Sequence, residues 1–212
     1  MNKTKLILFF FSFLSVYLIG CNLLQKTNYE NKSLQKKTEV IDLSQKHKNI
    51  KKKKSGKYYK DDGPPQFIPS NLMEIPNASP KIEPIIKSAN RPYRLFNKNY
   101  FPITNDLPFI EIGIGSWYGK KFHGNPTASG EIYDMFKMTA AHPTLPIPSY
   151  AKVKNIKTGK EIIVKINDRG PFISGRIIDL SFVAALKLGY VKSGTAKLEV
   201  KRILPREIIK SN

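Results

Sequence analysis

The sequence predicts a mainly β protein, a compact barrel with one or two short helices, preceded by a long polar N-terminal stretch. Three observations carry this expectation. Short runs within residues 111–204 alternate apolar and polar side chains with period two, the mark of strands with one wet face. Around Phe182 to Leu188 a single run has the caps and the apolar side of a helix. Nine of the 15 prolines fall between Asp61 and Pro108, which bars long helices and central strands from that stretch.

From the N-terminus, Lys3 and Lys5 precede Leu6 to Gly20, 15 residues of apolar, aromatic, Ser and Gly side chains. That falls short of the roughly 20 residues a spanning helix needs, so residues 1–20 read as a processed signal peptide. The run stops at Leu18-Ile19-Gly20-Cys21, and Cys21 is the only cysteine, so no disulfide can form within the monomer. A thiol at that position is a candidate for lipidation, with a buried thiol of an ordinary secreted protein as the alternative. Residues 21–60 are a Lys/Asn-rich tether: from Asn22 to Lys60, 12 Lys stand against Glu30, Glu39 and Asp42, a net charge of 12 − 3 = +9. With so few large apolar groups this stretch cannot offset its ordering entropy. The formal charge of +20 over 212 residues attracts anions in general. Export argues against nucleic acid as the partner of Lys51 to Lys54, leaving anionic lipid headgroups, wall polymers or mere solvation.

Residues 61–110 read as a Pro-rich, semi-rigid spacer. A fragment from about Asp106 onward is therefore expected to fold alone. The barrel follows over 111–204. Its expected strands are Gly113 to Tyr118, Tyr150 to Asn155, Glu161 to Asn167, Arg176 to Leu180 and Thr195 to Ile203. Lys157-Thr158-Gly159-Lys160 reads as a hairpin turn. Ser181 caps the helix and Gly189 stops it, and residues 205–212 form a short C-terminal tail.

Three polar stretches exceed what a structural barrel requires: Gly115 to Gly124, Thr127 to His142, and Asn167 to Phe172. Flat aromatic faces suit sugar rings, which makes Trp117 a candidate subsite platform and equally a core aromatic. Tyr118 points to the opposite face of its strand. Asp168 is bracketed by Asn167, Arg169 and a Gly-Pro turn, and spacing alone favours the reading that it holds that turn. Glu131 and His142 are equally readable as a surface carboxylate and a structural imidazole. The spacing of His47, His123, His142 and Cys21 resembles no zinc site, and no serine sits in a nucleophile elbow, so neither a metal nor any other cofactor is expected.

In order along the chain stand G-S-W-Y-G-K-K-F-H-G from Gly115, T-A-S-G-E-I-Y-D-M from Thr127, and M-T-A-A-H-P-T-L-P-I-P-S-Y from Met138. V-K-I-N-D-R-G-P-F from Val164 and R-I-I-D-L-S from Arg176 complete the set. Together they closely resemble the rare lipoprotein A family of septal-ring-associated lytic transglycosylases, from about Gly113 to Ile203. S-G-K-Y-Y-K-D-D-G-P from Ser55 resembles a segment upstream of the domain in many members, and Leu18 to Cys21 resembles a lipobox.

The resemblance implies a six-stranded double-psi β-barrel. It implies cleavage between N-acetylmuramic acid and N-acetylglucosamine of peptide-free glycan strands, leaving 1,6-anhydromuramic ends. It makes Glu131, His142 and Asp168 the catalytic candidates, with Asp168 as acid/base; Trp117, Tyr118, His123 and Asn167, from the polar stretches above, are the substrate-binding candidates. Peptidoglycan and, through acylated Cys21, a lipid bilayer are then the partners. The expected location is the envelope, at the outer membrane facing the periplasm, because Asn22 follows the cysteine. Many members carry a C-terminal domain that binds peptide-free glycan; this chain stops at Asn212, and no such domain is expected. An effective acid needs a raised pKa, which Arg169 would oppose, so its side chain is expected to turn elsewhere, into a pair with Asp134 or Asp179. A non-cleaving wall-binding or wall-loosening lipoprotein is the alternative function.

Overall fold

The computed structural model describes residues 62–211. The signal, Cys21 and tether expectations lie outside them. The strands are β1 (Tyr93–Leu95), β2 (Lys98–Tyr100), β3 (Ile110–Tyr118), β4 (Thr139–Ala141), β5 (Ser149–Asn155), β6 (Glu161–Asp168), β7 (Arg176–Ser181) and β8 (Thr195–Ile203). Two short helices, α1 (Phe182–Leu188) and α2 (Pro205–Ser211), accompany them.

Period-two alternation becomes barrel geometry. In β8 Leu198 and Val200 are fully buried between exposed or half-buried neighbours, and in β5 Val153 is fully buried between exposed Lys152 and half-buried Lys154. These side chains fill the interior of a closed barrel with strand order β3-β7-β4-β6-β5-β8. The pairs β3/β7 and β4/β6 are parallel and the other four antiparallel. Six mutually consistent ladders leave the barrel no open sheet edge. The hairpin between β5 and β6 turns where expected, with Gly159 at φ 71° and its amide bonded to the Asn155 carbonyl at 2.8 Å.

Helix α1 begins and ends at its expected caps. Ser181 Oγ accepts from Ala184 N, and Gly189 adopts φ 81°, the left-handed conformation that stops a helix. Its apolar residues are buried against the barrel, which a seven-residue helix needs in order to persist. The C-terminal tail forms α2, where Pro205 suits a first turn and Glu207 Oε2 accepts from Leu204 N at 2.8 Å.

The stretch expected as a spacer lies instead against the barrel. Leu72 is 3% exposed and belongs to the core. Ala78 N donates to Ile163 O, Ile86 N to Ile147 O and Ile103 N to Thr144 O at 2.8–3.0 Å. Prolines prevent a regular ladder, but the amides between them still need acceptors, and carbonyls on the barrel surface supply them. Residues 93–100 form the β1/β2 hairpin, whose Phe96 and Asn97 both have positive φ, as a two-residue type I′ turn requires. Farther upstream, the Asp62 carboxylate accepts from Gly119 N and Lys121 N at 3.0–3.1 Å, and Lys120 N donates to Gly63 O. A side chain at Gly119 would collide with the Gly63 carbonyl, so glycine is required there for close approach.

Candidate active site

Strand β6 ends on Asp168. A register shift in the β4/β6 pairing sets Ala141 opposite Asp168, and Ala141 is also opposite Asp179 on β7. Asp168 Oδ1 accepts from Ala128 N and from Arg169 N, each at 2.8 Å. Burial pushes this carboxyl above the ordinary aspartate value; the two amides and the Arg169 charge pull downward without cancelling the effect.

Arg169 does turn away, as expected, but to other partners. Its guanidinium donates to the carbonyls of Ala89 (3.1 Å), His142 (3.0 Å) and Leu145 (2.6 Å) and to Asn90 Oδ1 (3.0 Å). Asp179 is held by Ser116 and Arg176, while Asp134 accepts from Phe136 N. Backbone carbonyls win because the guanidinium is half-buried among them, where each donor needs an acceptor. Burial brings Arg169 down to about 10, so it stays charged at neutral pH.

Glu131 leaves the turn Thr127–Gly130, which is closed by Gly130 N on Thr127 O at 2.9 Å and by Ser129 N on Asn167 O at 3.0 Å. Its two carboxylate oxygens accept from Lys165 Nζ (2.7 Å) and Asn167 Nδ2 (2.8 Å). Lys165 also binds Glu83 at 2.9 Å, and Glu83 accepts from the Tyr150 hydroxyl at 2.6 Å. Burial alone would raise the Glu131 pKa, but the Lys165 and Asn167 bonds outweigh it and hold the group below the ordinary glutamate value. Lys165→Met is therefore expected to move the Glu131 titration midpoint upward in a carboxyl chemical-shift titration. A midpoint that stays put would show that Lys165 does not hold it.

His142 is fully buried. Its Nδ1 accepts from Thr144 N (3.1 Å) and Leu145 N (2.9 Å), so the proton of the neutral ring sits on Nε2. Nε2 lies 3.6 Å from Glu111 Oε2, beyond hydrogen-bond range. Burial holds the imidazole below its ordinary pKa despite that neighbour. The ring packs edge-on against Phe109, while its backbone amide donates to Asp168 O at 3.1 Å. His142 thus shapes the 142–145 loop, whose carbonyls fix Arg169.

Glu131 and Asp168 are brought together on either side of Asn167. Asn167 is 2% exposed, and its Oδ1 is buried without a partner. Trp117 is 7% exposed, with its ring edge-to-face against Phe182, so it lies in the core and offers no open face. Tyr118 is also buried, stacked on Tyr133 at 4.0 Å. His123 is more open, with Nδ1 accepting from Met135 N at 3.2 Å. Glu83, Asn90 and Lys165 join the site without a signal in the sequence. Glu83 and Asn90 act from an irregular Pro-rich stretch that carries no periodic signal, and Lys165 reads as an ordinary strand lysine. Asp62 was signalled, within the upstream D-D-G-P motif. Beside Asp168 a cavity of about 320 Å³ is lined by Ala89, Arg91, Tyr93, Ala128 and Arg169 among others.

Residues 110–200 match the family model described as lytic transglycolase. A Vibrio cholerae protein named endolytic peptidoglycan transglycosylase RlpA is 51% identical over 148 residues, covering 70% of this chain and 56% of that one. Proteins of the same name from Pseudomonas aeruginosa (50% identical, 64% of this chain, 39% of the other) and Helicobacter pylori (37%, 78% and 58%) also match. The chain spans about half the length of such relatives. Matching motifs, matching relatives and the closed six-stranded barrel agree: over residues 110–200 the chain carries a double-psi β-barrel domain of the lytic transglycolase type, similar to that of the rare lipoprotein A proteins.

Proposed function

We propose that this protein is an endolytic peptidoglycan lytic transglycosylase that cleaves the bond between N-acetylmuramic acid and N-acetylglucosamine, with Asp168 as its acid/base. The observation that carries the reading is a half-buried carboxyl with a raised pKa whose cationic neighbour is tied to backbone carbonyls instead. Protonated Asp168 gives its proton to the glycosidic oxygen as that bond breaks. The 6-hydroxyl of the same muramic residue then attacks its own anomeric carbon and returns a proton to Asp168. No water is consumed, so one carboxyl suffices and the two-carboxylate spacing of hydrolytic glycosidases does not apply. Glu131, kept ionised by Lys165 and Asn167, supplies negative charge for the developing oxocarbenium ion. Incubating the full chain and D168N with peptide-free glycan strands, and weighing the released ends, tests this reading.

The cellular setting belongs to the same proposal: an envelope protein anchored by acylated Cys21, at the outer membrane, acting in wall remodelling or daughter-cell separation. Several acyl chains on one residue anchor stably, since each buried methylene contributes about 0.8 kcal/mol. C21A is expected to abolish labelling by a palmitate analogue and to leave the precursor unprocessed; unchanged labelling would remove the anchor from the account.

A further inference from the structure

One wall of the cavity beside Asp168 is a charged side chain, that of Arg91. Arg91 lines it and is exposed, and among the described residues its guanidinium makes no hydrogen bond or ion pair. Yet the backbone that carries it is firmly held. Asn90 donates to Ile86 O (2.8 Å) and Ile147 O (2.6 Å) and accepts from Ile147 N (2.9 Å) and Arg169 Nη2 (3.0 Å). Pro92 restricts the backbone on the other side. Tyr93 donates to Pro143 O at 2.8 Å and stacks on Tyr100 at 4.9 Å. A rigid base with a free planar fork suits a carboxylate, which guanidinium binds through two parallel N–H bonds.

The neighbours narrow the ligand. Arg169 lines the same cavity, but four of its five N–H donors are committed to carbonyls and Asn90, so it adds positive field without offering a two-donor fork. Ala128, which also lines it, gives its amide to Asp168, so the cavity borders the carboxyl proposed as the acid/base. At about 320 Å³ the space lies near the lower end of small-ligand sites, about 300 Å³, and so suits a substituent or a single sugar. In a glycan strand N-acetylglucosamine carries no acid, whereas muramic acid carries one on its 3-O-lactyl group.

We infer that this cavity is a subsite for the muramic lactyl carboxylate and that Arg91 reads it, an inference that rests on the transglycosylase reading above. When a stem peptide is attached, that carboxyl is an amide and presents no anion to Arg91. Arg91, carried by the Pro-rich stretch docked on the barrel, is therefore a specificity-determining residue that favours peptide-free muramic residues.

The test uses the full chain and R91Q on three substrates: peptide-free strands, the same strands with carboxyls converted to methyl amides, and strands still bearing stem peptides. Charge-assisted hydrogen bonds set the expected scale. On peptide-free strands R91Q should raise KM about tenfold with kcat within about twofold. On methyl-amidated strands the two proteins should behave alike. Equal KM values for wild type on the first two substrates would overturn the inference while leaving the transglycosylase reading intact. An Arg91 effect confined to strands with stem peptides would overturn it too, assigning Arg91 to a peptide carboxylate. If wild type releases no anhydro-ended product at all, the functional reading fails. Calorimetric binding of the first two substrates still decides the subsite: an affinity loss of about tenfold in R91Q for peptide-free strands alone supports it, and equal affinities refute it. Thermal melts of R91Q should match wild type, since Arg91 has no partner among the described residues to lose.

Discussion

A fragment of residues 106–212 is expected to unfold at far lower urea than one of residues 62–212, or to fail to fold cooperatively. Cutting at 106 removes Leu72 from the core and the Asp62 carboxylate from the 119–121 amides. It strips Arg169 of Ala89 O and Asn90 Oδ1, and Lys165 of Glu83. Each buried donor or acceptor left unmatched costs about 1–3 kcal/mol, and a buried Leu side chain contributes about 1.5–3 kcal/mol. Against a domain stability of about 5–15 kcal/mol, several such losses consume most of the margin. Equal midpoints for the two fragments would mean that the Pro-rich stretch rests on the barrel without stabilising it, and would restore the spacer expectation.

D168N is expected to lower the rate of strand cleavage at least a hundredfold while keeping the fold. Loss of a general acid typically removes 10² to 10⁴ in rate, about 3 to 5 kcal/mol in the barrier. Asparagine keeps an oxygen that can accept from Ala128 N and Arg169 N, so the turn survives the substitution. Linkage adds a second readout. Because burial raises the Asp168 pKa in the folded state, the native protein holds this proton over a pH range where the unfolded chain has released it. Stability from this group is therefore fully present below the ordinary aspartate pKa and is lost as pH rises through the folded value. D168N has no such loss and should melt at or above wild type at neutral pH, the difference vanishing in acid. Wild-type activity should fall as pH rises through the same folded value. A D168N protein that cleaves at near wild-type rate would pass the acid role to Glu131; one that unfolds would make Asp168 a turn-holding residue.

Where the chain is periodic, the sequence was legible. Alternation in β5 and β8 and the Ser181 and Gly189 caps of α1 are local properties, set by neighbours a few residues away. Strand β4 escaped because three residues, all buried, show no alternation. The Pro-rich stretch was misread for a different reason. Its docking depends on single long-range bonds, such as Asn90 to Ile147 and Glu83 to Lys165, which leave no periodic trace. At the site, the resemblance makes Asp168 and Glu131 joint catalytic candidates, but spacing does not show which way a ring faces. Trp117 was open between platform and core until Phe182 packed against it, and His142 until two amides occupied its Nδ1.

The central claim is that Asp168 drives an internal displacement by the muramic 6-hydroxyl, and the mass of the released glycan ends tests it most directly. Peptide-free strands incubated with the full chain should yield muramic ends lighter by one water than hydrolysed ends, and D168N should yield almost none. Ends that carry the added water would mean hydrolysis, and intact strands recovered bound to wild-type protein would mean a wall-binding module; either result contradicts the account.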